Sequence, residues 1–230
     1  MAFEYQERLA GRVSTPADRV AFVRSVYLWL LAGFGVAFLG ALGALLSLPY
    51  MRSLPVSGRA FMWILFFAQM GAIWFASAVS RKRPLNILAY GLFTAISGYV
   101  AGLISLIVAS ASGYQTVLAA AGLTGGVFLA LTVTAFVSKK DFSFLRSFVV
   151  VGVAIMFFGS LVAAIFHLPT FSLVISAVAV IACSAKLLWD TSAMLRTDAL
   201  DDAAGFARSL FVSLYNIFIS LLNLLGNRRS

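Results

Sequence analysis

SFVVVGVAIMFFGSLVAAIF, residues 147–166, runs for its whole length without a charged side chain. A bilayer's hydrocarbon core, about 30 Å thick, is crossed by about 20 apolar residues in a helix, and this stretch meets that demand. Six more stretches do the same on either side of it: 25–48, 60–80, 85–110, 116–138, 171–195 and 206–226. The seven hold three charged side chains, Lys186, Asp190 and Arg208, out of the 17 Lys+Arg and 8 Asp+Glu in the chain. Over its 230 residues the chain is 62% hydrophobic and 11% charged, with a mean hydropathy of +1.00. Soluble domains hold about 45–50% apolar and about 25% charged residues, so a soluble enzyme, a disordered regulator and a coiled coil are excluded. The pattern predicts an all-α integral membrane protein with seven transmembrane helices. It divides the chain into a tail over 1–24, a membrane domain over 25–226 and a short C-terminal tail over 227–230.

The net charge of +9 would point to nucleic acid in a soluble protein. Here the cations lie in short loops between apolar runs, where they set topology; no nucleic-acid partner is expected. With the N-terminus inside, the inner segments hold Arg8, Arg12, Arg19, Arg24, Arg81, Lys82, Arg83, Lys139, Lys140, Arg146 and Arg196. The outer segments hold only Arg52, Arg59, Arg228 and Arg229. The excess favours a cytoplasmic N-terminus, and the odd span count then puts the C-terminus outside. The two arginines of that last tail oppose the rule, leaving open whether the seventh helix crosses completely. Residues 1–24 lack the apolar stretch and cleavage site of a signal peptide. They are polar enough to act as a cytoplasmic handle or to rest on anionic lipid. The single cysteine, Cys183, excludes an internal disulfide and a cysteine metal site.

Polar residues at membrane depth carry the functional signal. Lys186 and Asp190 are four residues apart on one face of the sixth span. They are candidates for proton sensing or ion coordination, with a structural ion pair as the plainer reading. In the seventh span Ser209, Ser213, Asn216, Ser220 and Asn223 follow a 4-3-4-3 spacing that lines one helical face, opposite Phe211, Ile217, Phe218 and Leu221. Such a seam avoids lipid and faces other helices or water, as interhelical glue or as a polar path. Gly98 with Gly102, and Gly122 with Gly126, have the spacing of close helix packing, within the bundle or between copies. His167, the one histidine, falls in the short turn HLPT and reads as a loop residue.

Enzyme readings fail on their own requirements. No GxSG serine serves a rhomboid-type protease, and no second aspartate in a GxGD setting serves an aspartyl protease. The last span has no lysine to hold retinal. No ligand cluster suits zinc or haem, so no metal, cofactor or catalytic residue is expected.

The last third of the chain resembles the Bax inhibitor-1 family of seven-helix membrane proteins. KKDFSFL (139–145), AIFHLPTFSLVISAVAVI (164–181), WDTSAML (189–195) and SLFVSLYNIFISLLNLLG (209–226) carry the resemblance, and SGYVAGLI (97–104) extends it more loosely. The last helix looks most like the bacterial YccA branch, modulators of the membrane-anchored AAA+ protease FtsH. The resemblance implies six helices around a central seventh in a bacterial inner membrane. It also implies two activities. One is binding and restraint of FtsH; the other is a pH-sensitive calcium or cation leak gated by paired aspartates in spans six and seven. Asp190 matches the first of those aspartates, whereas Ser213 stands at the second. Two close carboxylates shift each other's titration; a carboxylate beside Lys186 does not form that latch. The departure favours the protease-modulator activity, with FtsH and membrane lipid as partners and calcium ions under the alternative.

Overall fold

The computed structural model describes residues 16–51, 58–79, 84–138, 140–197, 200 and 202–227. Arg8, Arg12, Arg52, Arg81, Lys82, Arg83, Lys139, Arg228 and Arg229, used in the charge argument, lie outside these residues, as does the side chain of Arg59. Seven helices follow one another: α1 Pro16–Met51, α2 Gly58–Ala78, α3 Leu85–Ser112, α4 Tyr114–Ser138, α5 Leu145–Phe166, α6 Pro169–Arg196 and α7 Ala203–Gly226. All seven are long and apolar enough to cross a membrane.

Six helices begin and end within a few residues of the expected spans; α1 does not. It runs from Pro16 rather than from 25, so residues 16–24 of the expected tail are helical, and residues 1–15 lie outside the described part. The reason is local. Proline presets the backbone of a first helical turn, and Asp18 in that turn suits the positive end of the helix dipole. Phe22 is then buried and meets Phe206 edge-on, 5.8 Å between ring centres. At 36 residues and about 1.5 Å per residue, α1 is about 54 Å long, well beyond a bilayer core.

Tight turns hold the hairpins. α3 passes into α4 through Gly113 alone, whose φ of 84° needs a residue without a Cβ. α5 ends on His167 in the left-handed region (φ 54°), and the N–H of Leu168 reaches back 3.1 Å to Ala163 O. His167 is thus an exposed helix cap.

α7 lies at the centre. It packs against α1, α3, α4 and α6, while α2 leans on α3 and α5 on α6. No residue of α7 is exposed from Ala203 to Gly226. Phe211 sits at the hub, its ring 5.3 Å from that of Phe34, 5.8 Å from Phe93 and 6.5 Å from Tyr90. The helix crosses the whole bundle: Arg208 near its start meets the end of α2, and Gly226 O at its finish accepts from Ser112 Oγ, 2.8 Å away, at the end of α3.

The two glycine pairs part company. A Cβ on Gly98 would collide with the Ala37 carbonyl, and one on Gly102 would lie 2.8 Å from Ala41 Cα, so this pair seats α3 directly on α1. Gly122 and Gly126 have nothing within 4 Å and face outward from α4. Gly98→Leu should therefore cost about 3 kcal/mol through overpacking, whereas Gly126→Leu should leave thermal stability in detergent unchanged or slightly raised. Equal losses in the two variants would contradict this assignment.

Candidate functional site

Two ionisable groups face each other inside the bundle. Lys186 and Asp190, one turn apart on α6, form an ion pair with Nζ 2.5 Å from Oδ2. Burying a charged pair costs solvation that the pair alone rarely recovers, so further hydrogen bonds are needed. Ser209 on α7 supplies them: it accepts from Lys186 Nζ and donates to Asp190 Oδ2, 2.7 Å away. The three groups close a triangle across the α6–α7 interface, with Asp190 only 8% exposed.

The rest of the seam continues this contact. Asn223 donates to Ser172 Oγ at 2.9 Å and to Ser176 Oγ at 2.8 Å. From Ser209 to Asn223 is the same number of residues as from Lys186 back to Ser172, or from Asp190 back to Ser176. The antiparallel helices therefore keep one register over about four turns, roughly 21 Å. A 4-3-4-3 spacing is what such a register requires, since 3.5 residues per turn holds a seam against a neighbouring helix. Between the ends, Ser213 donates to Ser209 O at 3.2 Å and Asn216 to Val212 O at 2.8 Å. Ser213 and Ser220 are buried. The apolar positions Phe211 and Ile217 are buried as well, because α7 is enclosed on all sides.

Three polar features lie outside the expected site. Arg208 donates to Ala76 O, 2.6 Å away, in the last turn of α2. Gln69 donates to Ser97 Oγ at 3.2 Å and accepts from Tyr215 OH at 3.3 Å, so it ties α2, α3 and α7 together. A lone amide in an apolar span was a readable signal for Gln69. The partner of Arg208 was not readable, being a backbone carbonyl 132 residues away.

The third feature is a clamp at the end of α6. Arg196 donates to Lys140 O at 2.6 Å, pairs with Asp141 Oδ1 at 2.9 Å and bonds Ser192 Oγ. The α4–α5 turn is held there, and Ser143 N–H closes on Asp141 Oδ1 at 2.9 Å.

The one hydrogen of Ser209 is given to Asp190. Among the described residues no three of His, Cys, Asp and Glu come together to hold a metal. Cys183 is buried, with Sγ 3.8 Å from Met156 Sδ.

These features define a class: a seven-helix membrane protein whose polar last helix is enclosed by the others and latched to a charged pair on the helix before it. The chain belongs to the Bax inhibitor-1 family, whose model, described as inhibitor of apoptosis-promoting Bax1, matches residues 19–230. Among its relatives is the modulator of FtsH protease YccA of Escherichia coli (strain K12), 31% identical over 163 residues, 71% of this chain and 74% of that one. An uncharacterized protein of Campylobacter jejuni is 29% identical over 91% of this chain and 89% of its own. Protein LIFEGUARD 1 of Arabidopsis thaliana is 27% identical over 96% and 95%.

The clamp generates a pH prediction. Hydrogen bonds from the Ser143 side chain and backbone, then the charge of Arg196, hold the Asp141 carboxyl below the usual carboxylate range. A lowered carboxyl stabilises the fold above its unfolded value and loses that contribution as pH falls through its folded value. Wild type should therefore melt above Asp141→Asn at neutral pH, with the gap closing as pH drops below about 3.9. A gap that stays constant well below that value would exclude the carboxylate as its source.

Proposed function

We propose that this chain is a non-enzymatic membrane modulator that binds an FtsH-type AAA+ protease and restrains its degradation of other membrane proteins. The observation that carries the proposal is the similarity to YccA, 31% identical over 71% of this chain. The setting we propose is a bacterial inner membrane, with the N-terminus cytoplasmic and the C-terminus periplasmic. Residues 1–15 ahead of α1 serve as the segment the protease grips, and the helical bundle meets its membrane part.

Packing supports a role as a poor substrate. A protease pulling from the N-terminus meets α1 first, and the start of α1 is tied into the core. Phe22, Val26 and Leu30 are all buried in one cluster with Ala207, Leu210 and Phe211 of the central helix. Extraction must therefore break the contact of α1 with α7 before any later helix is reached. A chain that engages the protease yet resists extraction occupies it without being consumed.

The second reading is a cation or calcium leak with Asp190 as its gate, favoured by the ionisable pair on the wall of the central helix. Under it, Asp190→Asn abolishes the pH response of cation flux in liposomes.

In proteoliposomes containing FtsH and a membrane substrate, adding this chain should slow substrate loss relative to an unrelated seven-helix protein. An unchanged rate would count against the modulator reading. Deleting residues 2–12 should slow the chain's own turnover. Phe22→Ala combined with Phe206→Ala should speed it several-fold, with the fold retained by circular dichroism. If the double variant is degraded no faster, the α1–α7 contact is not what resists extraction.

A further inference from the structure

The ammonium of Lys186 is placed as a bound ion would be. Its Nζ lies 2.5 Å from Asp190 Oδ2 and is bonded to Ser209 Oγ, so its ligands are a carboxylate oxygen and a hydroxyl oxygen from two different helices. These are the hard oxygen donors that alkali cations take. The charge arithmetic is also monovalent, because Asp190 supplies one negative charge and Ser209 none. A divalent ion would leave an uncompensated positive charge. The nearby Ser213 hydroxyl is turned to Ser209 O instead.

Among the described residues, the helices packed against the pair bring no other neutralising group to it. Within α6 the only other charged residue is Arg196, which is engaged with Lys140 O and Asp141. On α7 Arg208 is turned to Ala76 O of α2. α4 carries no charged residue, α5 carries only Arg146 in its first turn, and the charged residues of α1 are Asp18, Arg19 and Arg24 in its first nine positions.

We infer that α6 carries its own cation: Lys186 permanently fills, as a tethered ammonium, a monovalent-cation site made by the Asp190 carboxylate and the Ser209 hydroxyl. The filled site latches α7 to α6 whatever the salt composition around the membrane. Removing the ammonium while keeping an apolar stem leaves a buried carboxylate and an oxygen-lined space for a free sodium ion. A single missing partner of a buried pair is strongly destabilising, so the vacancy has a thermodynamic reason to fill. Binding to the folded state alone then raises stability with ligand concentration. This inference does not depend on any protease partner.

The test uses the full-length chain in nanodiscs, with thermal unfolding followed by tryptophan fluorescence; Trp189 adjoins Asp190. Wild type, Lys186→Met and the neutral pair Lys186→Met with Asp190→Asn are compared in sodium chloride and in choline chloride at equal ionic strength. Choline is too large to enter. Lys186→Met should melt several degrees below wild type in choline and recover a good part of the loss in sodium. Wild type and the neutral double variant should melt at the same temperature in both salts. Identical melting of Lys186→Met in the two salts would overturn the inference, as would a sodium response in wild type that Asp190→Asn removes. If Lys186→Met does not assemble, Lys186→Ala is prepared in methylammonium chloride, which returns the missing group in free form. A folded yield no better than in choline would be equally fatal.

Discussion

A polar helix surrounded by hydrocarbon has no water to satisfy its side chains, and that constraint organises this bundle. α7 carries three serines and two asparagines on its seam, and Arg208 and Tyr215 beside it, so its polar face is unsuited to lipid. Enclosure by protein is the remaining solution, and no residue of α7 from Ala203 to Gly226 is exposed. Its ends are held as well. Asp202 accepts from the Gly205 N–H at 2.9 Å, and Ser112 donates to the Gly226 carbonyl. The first and last turns, which have no helical partners of their own, are thus tied to the loop before the helix and to the neighbour beside it. The outer helices carry most of the apolar surface that separates α7 from lipid, and α6 turns its Lys186–Asp190 pair to the interface with α7.

Within that shell the α6–α7 contact sets register more than it supplies energy. Interhelical hydrogen bonds in membranes average about 0.6 kcal/mol each, so the Asn223 pair and the Ser209 bridge contribute little to overall stability. Their effect lies in what a slip would cost. Sliding α7 by one turn would part Ser209 from the Lys186–Asp190 pair and leave two buried charges short of their shared partner. The pair itself lies within α6 and stays intact, so what a slip costs is the Ser209 partner of both charges. The backward bonds of Ser213 and Asn216 keep the middle of the seam satisfied without reference to α6. Specificity therefore sits at the two ends of the contact.

Most of the fold was readable because its signal is one-dimensional. An apolar run of the right length between charged loops is a membrane helix wherever it packs, and six of seven boundaries follow directly. α1 begins earlier because residues 16–24 mix Asp18, Arg19 and Arg24 with the buried Phe22; hydropathy averages these, whereas the packing of Phe22 on Phe206 extends the helix. At the site, the residues of the triangle and of the seam were readable as chemical types on helical faces. Their pairing across the interface was not. Ser209 was one of five equivalent seam positions until α6 brought Lys186 and Asp190 opposite it. Arg208 was visible as a charge without a partner, since no side-chain chemistry announces a backbone acceptor.

The two glycine pairs show how far a motif reads without its environment. Gly98–Gly102 and Gly122–Gly126 have the same spacing in equally apolar helices, yet one seats α3 on α1 and the other faces outward. In water an open groove of this kind would be driven to close by the hydrophobic effect. Lipid tails are as apolar as leucine and remove that drive, leaving van der Waals contact as the main reward for pairing. Acyl chains supply much of that contact to a smooth glycine face, so an open pair in a membrane helix carries little penalty. What separates the two pairs is therefore the neighbour. Ala37 and Ala41 on α1 present backbone at the right height for Gly98 and Gly102, and no described residue does so for Gly122 and Gly126.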